Sequence, residues 1–304
     1  MHEELERYTM DALLAPPVRV RVLRQQLRRV DVHWHEFYEM AYVLDGSAEH
    51  LLNGVPETLR PGSAFLLTPA DFHRIDATSE QPLTCLNVVI DPAVLEEQLL
   101  GLLASTAGWS AWPAWTLGSF DEARTDFLRL WDESQTSRPG AAALTDALVG
   151  CILIEFARRC AERQGSAGPV GADRQHLPRP DSAIARAVLF VDHHFREPLT
   201  LARAAAQANL SPNYFSERFR EFTGVPFQVY LQQRRLRFAR SLLAATDLGV
   251  TQASHAAGFN SPSHFGRAYR RRYGESPRAA RAVHNDWVAS RAGGAASLDK
   301  QVAV

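Results

Sequence analysis

The sequence predicts an α+β chain: a small N-terminal β-barrel, a helical stretch, then an all-α C-terminal domain with two helix-turn-helix motifs joined by a long helix. Three observations predict it. Short apolar runs broken by turn residues fill residues 18–90, helical spacing takes over after Asp91, and residues 201–224 recur as 251–274. A chain of 304 residues has room for about two domains.

Charge divides along the same line. Residues 1–162 carry 13 Arg against 24 Asp and Glu, a net of −11, whereas 181–290 carry 15 Arg against 8, a net of +7. A basic half beside an acidic one points to a polyanion as partner of the second half. No apolar run reaches the ~18 residues of a membrane span. Met1–Leu14 lacks the basic start and apolar core of a secretory signal. A cytoplasmic protein without membrane association is expected, with Cys85, Cys151 and Cys160 as reduced thiols in no metal-ligand spacing.

Between 18 and 90 the turn signals are Leu44-Asp-Gly46, Asn53-Gly54 and Pro61-Gly62. Asn-Gly between half-apolar strands is a strong hairpin signal, and strands at this spacing form a small barrel or sandwich. From 91 to 163 the pattern is helical, notably Asp121–Trp131 and Ala141–Arg159. Cys151–Ala157 is apolar on most of its surface, which suits a core or a subunit contact. Trp109, Trp112 and Trp115 suit either a barrel mouth or a domain contact. The Gly- and Pro-rich segment Gly165–Pro180 reads as a linker. The expected units are 1–163, a linker at 164–180, 181–287, and a flexible tail at 288–304.

In the repeat, Ala206/Ala256, Ser211/Ser261, Pro212/Pro262, Phe215/Phe265, Phe219/Tyr269, Arg220/Arg270 and Gly224/Gly274 coincide at an offset of 50. Each copy reads as helix, tight turn, helix. Ser211 and Ser261 are N-cap residues, Pro212 and Pro262 suit N1, and Gly224 and Gly274 suit the C-terminal cap. Ala206 and Ala256 would allow the close helix crossing. Gly258 can supply positive φ in the second turn, where the first copy has the weaker Ala208-Asn209.

On a helical wheel Phe215, Phe219 and Phe222 share one face, with Asn213, Glu217 and Arg220 opposite and Ser216 on the flank. In the second copy Phe265 and Tyr269 point inward. Ser263, His264, Arg267, Arg270 and Arg271 are its expected contacts. Arg and Asn on an exposed helix face suit bidentate reading of guanine and adenine, and other arginines suit phosphates. Between the copies Pro226–Thr246 has no internal breaker. Val229, Leu236, Ala239, Leu242 and Leu243 form its expected buried stripe, and Arg234, Arg235, Arg237 and Arg240 suit either backbone contacts or solvent. A helix of about 20 residues spans ~30 Å, close to one turn of B-DNA.

These residues resemble the AraC/XylS family of bacterial regulators over about 181–283. Ala256-Ala-Gly-Phe-Asn-Ser-Pro-Ser-His-Phe265 and Tyr273-Gly-Glu-Ser-Pro277 resemble the family's signature, and Arg235–Leu243 its linker helix. The sequence departs from it at Thr251–Ala256 and at Arg278-Ala-Ala-Arg281. The resemblance implies duplex DNA and RNA polymerase as partners and activation as the sign of control. A duplex-DNA reader is favoured over an RNA-binding one, because basic-aromatic β platforms are lacking.

His33-Trp-His35-Glu-Phe-Tyr-Glu39 reads as a strand in which alternate residues share a face, so His33, His35 and Glu39 point the same way. His73 follows Pro69-Ala-Asp-Phe. This resembles the cupin barrel over about 18–90, with Leu27 and Ala77 departing from the metal-binding pattern. Trp34, Tyr38 and Tyr42 fall on the opposite face and suit packing. Three readings of His33, His35, Glu39 and His73 stay open: a pocket for a small effector such as a sugar or related metabolite, a divalent metal site, or a structural hydrogen-bond cluster. The leading reading is a homodimeric, effector-responsive transcription regulator with no cofactor and no catalytic residues, dimerising through Leu144–Arg159. The alternative is a metal-dependent cupin enzyme or metal-sensing cupin fused to a DNA-binding domain.

Overall fold

The computed structural model describes residues 6–14, 18–94, 115–163 and 182–282. The strands are β1 (Glu6–Tyr8), β2 (Val20–Leu27), β3 (Arg29–His35), β4 (Tyr38–Asp45), β5 (Ala48–Leu52), β6 (Val55–Leu59), β7 (Ala64–Leu67), β8 (Phe72–Ala77), β9 (Leu83–Ile90) and β10 (Trp115–Leu117). They form two five-stranded sheets in the orders β1-β3-β8-β5-β6 and β10-β7-β4-β9-β2. Asn53 and Gly54 take φ of 50° and 87°, as the two central residues of a type I′ turn must. They join β5 to β6 with Leu52 opposite Val55.

Ala41, Val43, Leu52, Leu59, Phe65, Leu67 and Ile75 pack together between the sheets. The second sheet is covered on its outer face too, so every residue of β9 is buried. Its cover is α2 (Arg124–Ser134) and α3 (Ala141–Arg163), which follow the short helix α1 (Met10–Leu13) in the chain. Phe127, Leu130, Leu148, Ile152 and Phe156 pack there against Tyr38, Met40, Tyr42, Leu86 and Val88. Within Cys151–Ala157, Ile152, Leu153, Phe156 and Ala157 are core, while Cys151 is exposed. Trp109, Trp112, the linker 164–180 and the tail 288–304 lie outside the described residues, as do the side chains of Trp115 and Cys160.

The C-terminal helices are α4 (Ser182–His194), α5 (Leu201–Gln207), α6 (Pro212–Thr223), α7 (Phe227–Ala245), α8 (Val250–Ala256) and α9 (Pro262–Tyr273). Among the described residues no helix is long and apolar enough to cross a membrane. Both second helices of the motifs begin with Pro after Ser and end at a left-handed Gly224 or Gly274. Ser261 accepts a cap bond from His264 N–H at 3.3 Å; the Ser211 hydroxyl makes none.

The constant offset of 50 does not survive the turn. Leu210 N–H bonds Ala205 C=O, and Phe259 N–H bonds Ser254 C=O, so the first helices match at 49. Asn209 (φ 54°) is the counterpart of Gly258 (φ 81°). The second copy holds one more residue before its N-cap. The helix crossing is therefore made by buried Ala204, Ala205 and Ala253, Ser254, whereas Ala206 is exposed and Ala256 half-buried.

Val229 departs from the expected stripe of α7, being 42% exposed. Leu236, Ala239, Leu242 and Leu243 are buried as expected, and Phe227, Leu231 and Phe238 join them. This core extends onto the barrel. Leu51 and Phe72 join it, with Trp34 against its edge, and Phe72 meets Phe238 edge-on at 5.6 Å. The outer face of the first sheet thus holds the C-terminal domain.

Candidate functional site

His33 and His35 enter the barrel interior from β3, and Trp34 between them points out. His73 comes from β8, where His33 and His73 are direct partners in the ladder. Glu39 is not on the same strand as the two histidines. The chain reverses at Glu36–Phe37, and Glu39 returns on β4, in the facing sheet. The four side chains still converge: one ligand atom from each lies within 4.8 Å of the others, and all four are buried. His33 and His73 meet Nε2 to Nε2 at 2.8 Å. Glu39 Oε2 lies 3.2 Å from His35 Nε2 and 3.9 Å from His73 Nε2. Its other oxygen accepts from Asn87 Nδ2 at 3.0 Å.

Sequence reasoning missed His50, fully buried on β5 with Nε2 3.1 Å from His73 Nδ1. Its signal was alternation, since His50 falls on one face with Ala48 and Leu52. Burial pushes the His33 imidazole below its ordinary value, His50 down to about 4, and His73 well below. Burial pushes the Glu39 carboxyl the other way, but its bond to His35 and the surrounding imidazoles hold it below the usual range. His33, His50 and His73 are thus neutral imidazoles beside an ionised carboxylate. The Tyr8 ring of the N-terminal arm lies against His33 at 4.6 Å.

Tyr38 and Tyr42 face out of the barrel, as their alternation with the cluster suggests. The Tyr42 ring stacks on Phe127 at 5.2 Å, and Tyr38 OH is 2.6 Å from His193 Nε2. His193 ends α4, so this is a contact between domains. Burial pushes its imidazole down to about 3. The folded value lies below the ordinary 6.5, so the fold favours neutral His193. Its contribution is complete above pH 6.5 and is lost as pH falls toward 3. Melting temperature should therefore drop over that window, and less steeply in His193→Gln. Parallel curves would show that His193 does not sense the acid.

The outward face of the two motif helices is as the wheel requires. Asn213, Glu217, Arg220, Ser263, His264, Arg267, Arg270 and Arg271 are exposed and Ser216 is half-buried, while Phe215, Phe219, Phe265 and Tyr269 are fully buried. Phe222 is half-buried at the edge of the core. Arg267, Arg270, Arg271 and Arg278 surround a concavity closed by Val250, Ser263 and Pro277. Arg271 also donates to Gln232 Oε1 at 3.2 Å. The arginines of α7 divide. Arg234 pairs with half-buried Asp192 at 2.8 Å, Arg235 donates to the carbonyls of Phe195 and Glu197, and Arg240 stacks on Tyr273. Only Arg237 of these four is exposed without such a contact among the described residues.

Known proteins match both halves. A model of the AraC-like ligand binding domain matches residues 16–149, and one of a helix-turn-helix domain matches 204–282. The HTH-type transcriptional activator RhaS of Pectobacterium carotovorum is 23% identical over 255 residues, 82% of this chain and 86% of that protein. RhaS of Salmonella schwarzengrund is 26% identical over 250 residues, covering 81% and 85%. RhaR of the same organism is 25% identical over 257 residues, covering 83% and 87%. With a ligand-binding barrel ahead of a DNA-binding pair of helix-turn-helix motifs, the chain belongs to the AraC family of transcription regulators.

Proposed function

We propose that this chain is a cytoplasmic, effector-responsive activator whose barrel site and DNA-binding domain communicate through one shared sheet. The observation that carries the reading is an alternation. His33 and His35 face the cluster while Trp34 between them faces the C-terminal domain, and His73 faces the cluster while Phe72 beside it packs on Phe238. An effector, such as a sugar or related metabolite, that shifts β3 or β8 by a fraction of an ångström moves the platform on which the DNA-binding domain rests. Activation is the direction given in the names of RhaS and RhaR, and RNA polymerase is the partner that it requires.

Residues 1–163 sense and dimerise, 164–180 link, 181–287 bind DNA and 288–304 form a tail. Ala147 and Cys151 are exposed one turn apart on α3 within the dimer contact assigned to Leu144–Arg159, and exposed Ala143 extends the small-residue stripe just ahead of it. Asn213, Ser216, Glu217, Arg220, Ser263, His264, Arg267, Arg270 and Arg271 face the DNA. The two units carry different outer residues, Glu217 against Arg267, so each monomer reads an asymmetric site in adjacent grooves. Affinity falls steeply with salt as phosphate contacts release counterions.

Operator selection from random duplexes, followed by competition footprinting, tests the assignment. Arg267→Ala should weaken the preferred site by about 1–3 kcal/mol and relax one base position. Unchanged selectivity would remove Arg267 from the reading set. Thermal-shift screening of sugars and related metabolites tests the effector, because a specific ligand raises the melting temperature by mass action.

A further inference from the structure

Between the barrel and the C-terminal domain lies a cleft of about 1000 Å³, lined by no residue of the histidine cluster and none of the DNA-facing set. One wall is the barrel and its N-terminal arm, through Met10, Trp34 and Pro92; the other is the C-terminal domain, through Pro198, Leu248 and Ala256. Pockets that hold small molecules run from about 300 to 1000 Å³ and are mostly apolar, with a few placed polar groups. Most charged groups at this cleft are already matched. Arg7 pairs with Glu36, and Glu197 pairs with His194 and Arg203. Arg196 lies over Trp34 and donates to the Pro69 carbonyl. Three lining side chains keep polar atoms without a partner among the described residues. Asp91, on the barrel wall, uses only Oδ1, for the Ala93 N–H at 2.8 Å. Gln252, on α8, uses only Oε1, for the Gly249 N–H at 2.8 Å, and His255 is exposed one turn further on. Residues three apart share a helix face. The barrel wall therefore offers an anionic acceptor, and α8 offers an amide and an imidazole N–H as donors.

We infer that this cleft is a second small-molecule site, for an amphoteric ligand of dipeptide size whose ammonium pairs with Asp91 and whose carboxylate accepts from Gln252 and His255. The walls take its apolar side chains, and the volume exceeds what a free amino acid would fill. A purely anionic ligand would leave Asp91 facing it unmatched, and a purely cationic one would leave the donors of α8 without an acceptor. A ligand held by both walls ties α8, the first helix of the second helix-turn-helix unit, to the barrel. The site is separate from the barrel interior to which the effector reading above applies.

Calorimetric titration of the full-length protein with L-leucyl-L-leucine tests the site, against the N-acetylated dipeptide, which lacks the ammonium, and the dipeptide amide, which lacks the carboxylate. One dipeptide per chain is expected, with each capped form bound about 10–100-fold more weakly, as the loss of a charged hydrogen bond requires. The dipeptide should also raise the melting temperature by mass action. In Asp91→Asn, where the new amide oxygen can still accept from Ala93 N–H, the acetyl cap should cost little further. In His255→Ala the amide cap should cost less than in the wild type. No saturable binding at millimolar dipeptide, capped forms that bind as well as the free one, or binding undiminished in both variants would overturn the site. A sugar response without dipeptide binding would remove the cleft site and leave the barrel reading standing; dipeptide binding without a sugar response would uphold the cleft and count against the sugar.

Discussion

Gly258→Ala is expected to destabilise the C-terminal domain by about 2–4 kcal/mol and to weaken operator binding with it. Two costs combine. A left-handed backbone costs a residue with a Cβ roughly 1–2 kcal/mol, and Gly258 stands at φ 81°. The added Cβ would also lie 2.5 Å from the carbonyl oxygen of Arg196 and 2.8 Å from its C and Cα. All three are main-chain atoms, so no side chain can swing aside, and the turn between α8 and α9 must shift. Urea unfolding reads the loss as a lower midpoint. Gly266→Ala on α9 is the control, because a Cβ there meets nothing within 4 Å. Helix propensity should make that variant more stable by up to about 1 kcal/mol. An unchanged midpoint in Gly258→Ala would show that the turn does not press on Arg196.

What could be read from the sequence was local. Asn53-Gly54 announces its hairpin because few other pairs tolerate positive φ twice. Ser-Pro at 211–212 and 261–262 announces two helix starts, because cap and N1 chemistry are properties of adjacent residues. The losses were non-local or carried no letter. The reversal at Glu36–Phe37 contains no Gly, Pro or Asn, so His33 to Glu39 reads as one strand although two sheets supply the cluster. The one-residue difference between the repeats hides because alanines match in both registers, Ala206 with Ala256 at an offset of 50 and Ala204 and Ala208 with Ala253 and Ala257 at 49. Arg234 and Arg235 could be assigned from the sequence only to DNA backbone or solvent. Their partners, Asp192 and the carbonyls of Phe195 and Glu197, lie about 40 residues upstream. Val229 fits the apolar stripe by type, yet tertiary packing leaves it exposed.

Arg196→Ala is expected to uncouple the barrel from the DNA-binding domain, at a cost of about 3–5 kcal/mol to the contact. Arg196 follows α4, and its guanidinium lies 3.7 Å over the Trp34 ring, with Phe238 at 5.0 Å and Phe195 at 5.1 Å. It also donates to the main-chain carbonyl of Pro69. Burial pushes its pKa down to about 9, with Asp71 opposing the shift, so it remains charged at neutral pH. A desolvated cation–π contact is worth about 2 kcal/mol, and a hydrogen bond from a charged donor about 1.5–3 kcal/mol. Arg196→Lys keeps the charge and loses the planar stack, so it should recover only part of the loss. Calorimetry should show one transition splitting into two, with operator affinity no longer responsive to the barrel; a single transition at the wild-type midpoint would remove Arg196 from the coupling. The same residue also presents its main chain to Gly258. The two substitutions therefore act on one joint from opposite sides: Gly258→Ala presses the turn against a residue anchored on Trp34, and Arg196→Ala releases the anchor. Once released, the segment can yield to the new Cβ. The double variant should then lose less than the two single losses added together, by at least ~0.5 kcal/mol, as expected for residues in contact. Strict additivity would mean that the barrel and the second helix-turn-helix turn do not feel each other through Arg196.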